Sequence, residues 1–97
     1  MTEIDYIAIT RQIVLKHIDT SQYRVFLFGS RACGNFRHNS DIDVGIWGKE
    51  RIPLTAKLAI EEELEESIVP YKVDIVDFSL VDETFKKFAL EKIVEWE

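Results

Sequence analysis

The chain has 97 residues, and its 12 Lys plus Arg against 18 Asp plus Glu leave a net charge of −6. One domain spanning residues 1–97 is the expectation at this length, with room for one core but not for an elaborate closed pocket. The acidic balance argues against a duplex DNA-binding module, which carries a basic patch, while the 46% hydrophobic and 31% charged composition is that of a folded rather than a disordered chain.

A single cysteine, Cys33, excludes a disulfide within the chain and fits a reducing, cytoplasmic setting. With only His17 and His38 beside it, no Cys/His zinc site of usual spacing can be assembled. The N-terminal residues lack the basic, then apolar, pattern of a signal peptide. No run approaches the ~18 apolar residues of a membrane span, so no membrane partner is expected.

In chain order, apolar residues at Ile4, Ile7, Val14 and Ile18 predict a helix from about Ile4 to Ile18, with Thr2 as a cap. Val25-Phe26-Leu27-Phe28 is wholly apolar and ends in Gly29, which predicts a buried strand. A short helical turn is expected over Ser30–Asn35, then a polar loop through Asn39. Asp41–Trp47 begins with acidic and apolar residues in alternation and reads as a second strand. Pro53 at a first helical position opens a helix to about Ile68, whose apolar stripe is Ile60, Leu64 and Ile68, and Pro70 stops it. Lys72–Phe78 alternates as a third strand. Ser79, with Asp82 three residues on, predicts a cap for a last helix with Val81, Phe85, Ala89 and Ile93 on one face. The expected fold is α/β in the order α-β-α-β-α-β-α, with helices on a mixed sheet of three to four strands; whether Asp41–Trp47 returns antiparallel is left open.

Two polar devices stand out. Gly29-Ser30-Arg31-Ala32-Cys33-Gly34 lies where a buried strand gives way to a helical turn, a place where backbone N–H groups collect anions. There Gly29 permits close backbone approach to a phosphate, Ser30 offers a hydroxyl donor, and Arg31 and Arg37 flank the turn with donors suited to phosphate oxygens. The second device is Ser40-Asp41-Ile42-Asp43. Residues two apart on a strand share a face, so both carboxylates converge as hard oxygen ligands for Mg²⁺ or Mn²⁺, with substrate phosphates completing the shell. A P-loop is rejected, because Asn35-Phe36 stands where Lys and Ser or Thr must follow the second glycine. A three-glycine dinucleotide fingerprint is also absent. On the third strand, alternation puts Asp74 with Val76 and Phe78, and Asp77 with Val73 and Ile75. Asp74 is therefore the favoured third carboxylate, and Asp77 is explained by the dipole of the following helix.

These residues, Phe28-Gly29-Ser30-Arg31-Ala32, then Gly34, Arg37 and Ser40-Asp41-Ile42-Asp43, with Val73–Asp77 behind them, resemble the signature of the minimal nucleotidyltransferases of the DNA polymerase beta-like superfamily. The resemblance implies that Gly29 and Ser30 grip a nucleoside triphosphate, with Arg31 and Ser40 in the nucleotide-binding set. It further implies that Asp41 and Asp43 hold two Mg²⁺ (or Mn²⁺) ions and that Asp74 completes the triad and activates the attacking hydroxyl. The implied reaction moves a nucleoside monophosphate, AMP from ATP, to a hydroxyl and releases pyrophosphate; two metals about 3.5–4 Å apart would stabilise both the entering and the leaving oxygen. It also implies a toxin–antitoxin setting, in which the transferase is the antitoxin and modifies an all-helical HEPN partner. Against this stand a catalytically silent partner-binding antitoxin module and a nucleotide sensor, but neither needs three converging acids. Nothing in the sequence excludes a homo-oligomer.

The remaining features have plain readings. Cys33 is a small packing residue, His38 an exposed loop residue, and Glu61-Glu62-Glu63 with Glu65 and Glu66 a solvated helix face or a surface that docks a basic partner. Trp47 and Trp96 are core or interface anchors.

Overall fold

The structure, a computed structural model, describes residues 4–33 and 41–96. Eight elements follow one another: α1 (Tyr6–His17), β1 (Tyr23–Phe28), α2 (Ser30–Cys33), β2 (Ile42–Gly48), α3 (Leu54–Glu66), β3 (Val73–Asp77), α4 (Glu83–Ala89) and β4 (Val94–Trp96). The four strands form one mixed sheet in the order β3-β2-β1-β4. β1 runs antiparallel to both β2 and β4, while β2 and β3 are parallel. The α3 segment supplies the crossover that a parallel pair requires. No helix among the described residues is long and apolar enough to cross a membrane.

Alternation sorts the central strands onto two cores. Val25 and Leu27 of β1, Ile42, Val44 and Ile46 of β2, and Ile75 of β3 pack against Ile13 and Val14 of α1 and Ile60 and Leu64 of α3. The other face carries Phe26 and Phe28 with Phe78 and Ala89, and Val76 and Trp47 pack against them. The rings of Phe26 and Phe28 both meet Phe78 edge-on, at 4.9 and 5.2 Å between centroids, a geometry that favours aromatic pairs beyond their buried area. Gly45 sits in the middle of this face, where a Cβ would strike Phe26 and stand 2.7 Å from Phe78. The glycine is what lets the two rings approach β2 this closely.

Several ends differ from the sequence expectation for local reasons. The α1 cap is Asp5, whose carboxylate accepts from the Ala8 N–H at 3.0 Å; Thr2 lies outside the described residues, and Ile4 precedes the helix, exposed. Pro53 is the residue before α3 rather than its first member. That helix ends at Glu66, because Ser67 turns back, both its N–H and its hydroxyl donating to the Leu64 carbonyl. Ile68 is therefore exposed instead of extending the stripe. The α4 cap is Asp82, accepting from Phe85 N–H at 2.8 Å, not Ser79. Ile93 packs against the aromatic core as expected, but from beyond the end of α4, and the chain then pairs with β1 as β4, which seats Trp96 in the other core.

The acidic run on α3 is not wholly solvated. Glu63 accepts from Lys16 at 2.7 Å and meets His17 Nε2 at 2.9 Å, tying α3 to α1, and these hydrogen bonds hold its carboxyl below the usual range. Glu61, Glu62, Glu65 and Glu66 are exposed.

Candidate active site

The sheet register builds the site. Phe28 is the partner of Asp43 on β2, and Asp43 is the partner of Asp74 on β3, so the three form one row across the face that carries the aromatic core. Partnered residues on neighbouring strands are about 4.8 Å apart and point the same way, which brings the carboxylates of Asp43 and Asp74 side by side. Asp41 lies one residue before β2 and is exposed, Asp43 is half-buried, and Asp74 is exposed on an edge strand.

At the end of β1 the chain reaches Gly29, the one glycine among the described residues with positive φ, at 76°. A side chain is strained in that conformation, and here it would also collide. A Cβ on Gly29 would overlap Oδ2 of Asp43 and stand 3.3 Å from its Cγ. The carbonyl of Gly29 accepts from the Ala32 N–H at 3.1 Å, turning β1 directly into α2. Ser30 is thereby left exposed at the turn. The Gly-Ser turn and the Asp-x-Asp pair, separate in sequence, are in contact through Gly29 and Asp43.

Charge accumulates at this contact. The Asp43 carboxyl is pushed up from its ordinary value, first by burial, then by the charges of Asp74 and Asp41, with Lys72 opposing. Among the described residues, no three His, Cys, Asp or Glu side chains stand closed around a metal position. The donor set nevertheless fits a hard divalent ion in its chemistry: three carboxylates that repel one another, all oxygen ligands, beside the Gly29–Ser30 turn.

The other expected site residues fall as follows. Arg31 is half-buried, its guanidinium 4.5 Å from the centroid of the Tyr71 ring, a cation–π placement that orients the side chain. Ser40, like Gly34, Arg37 and His38, lies outside the described residues. Asp77 faces away from the row, as alternation predicts, but the helix dipole does not account for it. Its carboxylate accepts from the N–H of Ile52 at 2.9 Å and from both the N–H and the hydroxyl of Ser79, at 2.9 and 2.6 Å. It staples two loops together.

The sequence reading missed a cleft of about 570 Å³ between the Gly29–Ser30 turn and α4, walled by Phe28, Phe85, Phe88 and Ala89, with Glu91 and Lys92 at its rim. Phe88, 77% exposed on α4, was the available signal: a large aromatic residue off the helix's buried face.

Comparison with known proteins agrees with this fold. In solved structures the same fold occurs in a toxin–antitoxin crystallised with AMP-PNP, at a TM-score of 0.72 and 19% identity over 97% of this chain and 73% of that one. It recurs in a complex of a tri-AMPylated Shewanella oneidensis HEPN toxin with its MNT antitoxin, at a TM-score of 0.62 and 15% identity, covering 93% and 71% of the two chains. In sequence, residues 14–94 match the family model described as polymerase beta, nucleotidyltransferase, and the chain belongs to that family. A relative from Haemophilus influenzae named "Probable protein adenylyltransferase MntA" is 34% identical over 65 residues; the match takes in 67% of this chain and 57% of the relative.

Proposed function

We propose that this chain is a Mg²⁺-dependent (or Mn²⁺-dependent) nucleotidyltransferase that moves AMP from ATP to a hydroxyl of a helical HEPN-type partner protein and thereby acts as an antitoxin. The observation that carries the reading is the close approach of Gly29 to the Asp43 carboxylate, which sets the Gly29–Ser30 turn against the acid cluster and supports a phosphate-binding role for it. The family match, the adenylyltransferase named among its relatives and the AMPylated HEPN toxin bound to a chain of this fold support the choice of reaction and partner.

In this reading Gly29, Ser30, Arg31 and Ser40 hold the triphosphate, while Asp41, Asp43 and Asp74 hold two ions when nucleotide is present. Bound there, the divalent cations would supply Lewis-acid stabilisation of the charge that develops on the phosphoryl oxygens. Asp74, at the open edge of the row, orients the acceptor hydroxyl and takes its proton. The hydroxyl oxygen bonds to the α-phosphorus, the bond from that phosphorus to the β-phosphate oxygen breaks, and pyrophosphate leaves with the electron pair. Calorimetry with and without Mg²⁺ tests the assignment. The Asp41→Asn, Asp43→Asn double variant should lose Mg²⁺-dependent ATP binding and keep its fold, and unchanged ATP affinity would refute it.

A further inference from the structure

The cleft beside α4 shares its floor with the phosphate turn, since Gly29 and Ser30 line it. Its volume of about 570 Å³ lies inside the roughly 300–1,000 Å³ of small-molecule sites. The far wall is aromatic. Phe85 is fixed, its ring edge-on to Phe28 at 6.1 Å and tilted against Phe78 at 5.8 Å. Phe88, one helical turn further on, is 77% exposed, so a ring face lies uncovered at the mouth of a concave, largely apolar surface. A nucleotide whose phosphates sit at Gly29–Ser30 has only its sugar and base left to reach across to α4.

We propose that this cleft takes the nucleobase of the donor nucleotide, stacked on Phe88 against the wall formed by Phe28 and Phe85, with the Lys92 ammonium at the rim. The proposal rests on the nucleotide reading above and adds to it where the base lies and what holds it. Stacking on an aromatic ring is tolerant of base identity, because every base has a π-face. The site therefore ranks nucleotides by ring area, purines ahead of pyrimidines.

Calorimetric titration of the full chain with Mg²⁺-ATP and with Mg²⁺-tripolyphosphate, which has the phosphates and no base, separates the two claims. Wild-type protein should bind ATP more tightly than tripolyphosphate. Phe88→Ala should weaken ATP between about 5-fold and about 160-fold, the range of one lost base–aromatic stack, and leave tripolyphosphate unchanged; Phe88→Trp should restore ATP. Because Phe88 is exposed, neither variant removes a core side chain. Equal ATP affinity in wild type and Phe88→Ala, or equal losses for both ligands, would overturn the base site while leaving the phosphate turn standing. Wild-type protein that binds neither ligand would overturn the nucleotide reading and the base site together.

Discussion

Gly29 and Asp43 form the tightest constraint in the site, and each makes a measurable difference. Gly29→Ala would force a side chain into a left-handed conformation, at about 1–2 kcal/mol, and drive its Cβ into the Asp43 carboxylate. The expected result is a lowered denaturation midpoint and at least a tenfold loss of Mg²⁺-ATP affinity. Asp43 works in the opposite sense. Its folded carboxyl titrates above the ordinary 3.8, so between that value and the raised one the folded state binds more protons than the unfolded chain. Stability therefore falls as pH rises through this window, and at neutral pH the ionised Asp43 costs stability. Asp43→Asn should raise the melting temperature of metal-free protein at pH 7, with the gain vanishing below the ordinary carboxylate range. A lower melting temperature at pH 7 would contradict the repulsion inferred here. Added Mg²⁺ should stabilise wild-type protein and not the variant.

Strand faces separate the two acids of β3. Asp74 and Asp77 lie three residues apart on β3, a spacing that sends them to opposite faces, and their surroundings diverge accordingly. Asp77→Ala would strand the donors of Ile52 and Ser79, at about 1–3 kcal/mol, with transfer by the surviving folded protein near normal. Asp74→Ala should leave denaturant stability within about 0.5 kcal/mol but lower turnover by at least the roughly 100-fold typical of a lost general base. Exchanged phenotypes would reverse the assignment of faces. This division was legible beforehand, because a strict period of two in Val73–Asp77 leaves no freedom, and so was the contact of turn with acid pair in outline, from Gly29 ending one apolar strand and Asp41–Asp43 opening the next. β4 was not legible. Val94-Glu95-Trp96 is too short for alternation to declare itself, and Val81, Phe85, Ala89 and Ile93 happen to fall at a four-residue spacing that imitates one long helix face. Ile93 is half-buried by a chain that has already left the helix. The caps were misplaced for a related reason: Ser79 and Asp82 both carry cap-forming side chains, and only the neighbouring Asp77 carboxylate, which takes up the Ser79 hydroxyl and N–H, leaves the cap to Asp82.

Taken whole, the molecule places its acid row at one end of the sheet beside an aromatic cleft, and the matched segment spans 57% of the length of its Haemophilus influenzae relative. In the proposed reaction the acceptor hydroxyl belongs to a second polypeptide. With a net charge of −6 and the exposed glutamates of α3, association with a basic partner surface should be faster at low salt and slow as ionic strength rises; an association rate insensitive to salt would remove α3 from the interface. The most direct test of the central claim is transfer itself: incubation with ATP carrying a labelled α-phosphate, Mg²⁺ and a co-expressed HEPN-type partner, followed by intact-mass spectrometry. The prediction is a gain of one or more AMP groups on partner hydroxyls with matching pyrophosphate release, abolished by Asp41→Asn with Asp43→Asn. A stable complex in which the partner is neutralised without any mass gain, equally with wild-type and double-variant protein, would contradict it and leave a module that acts by binding alone.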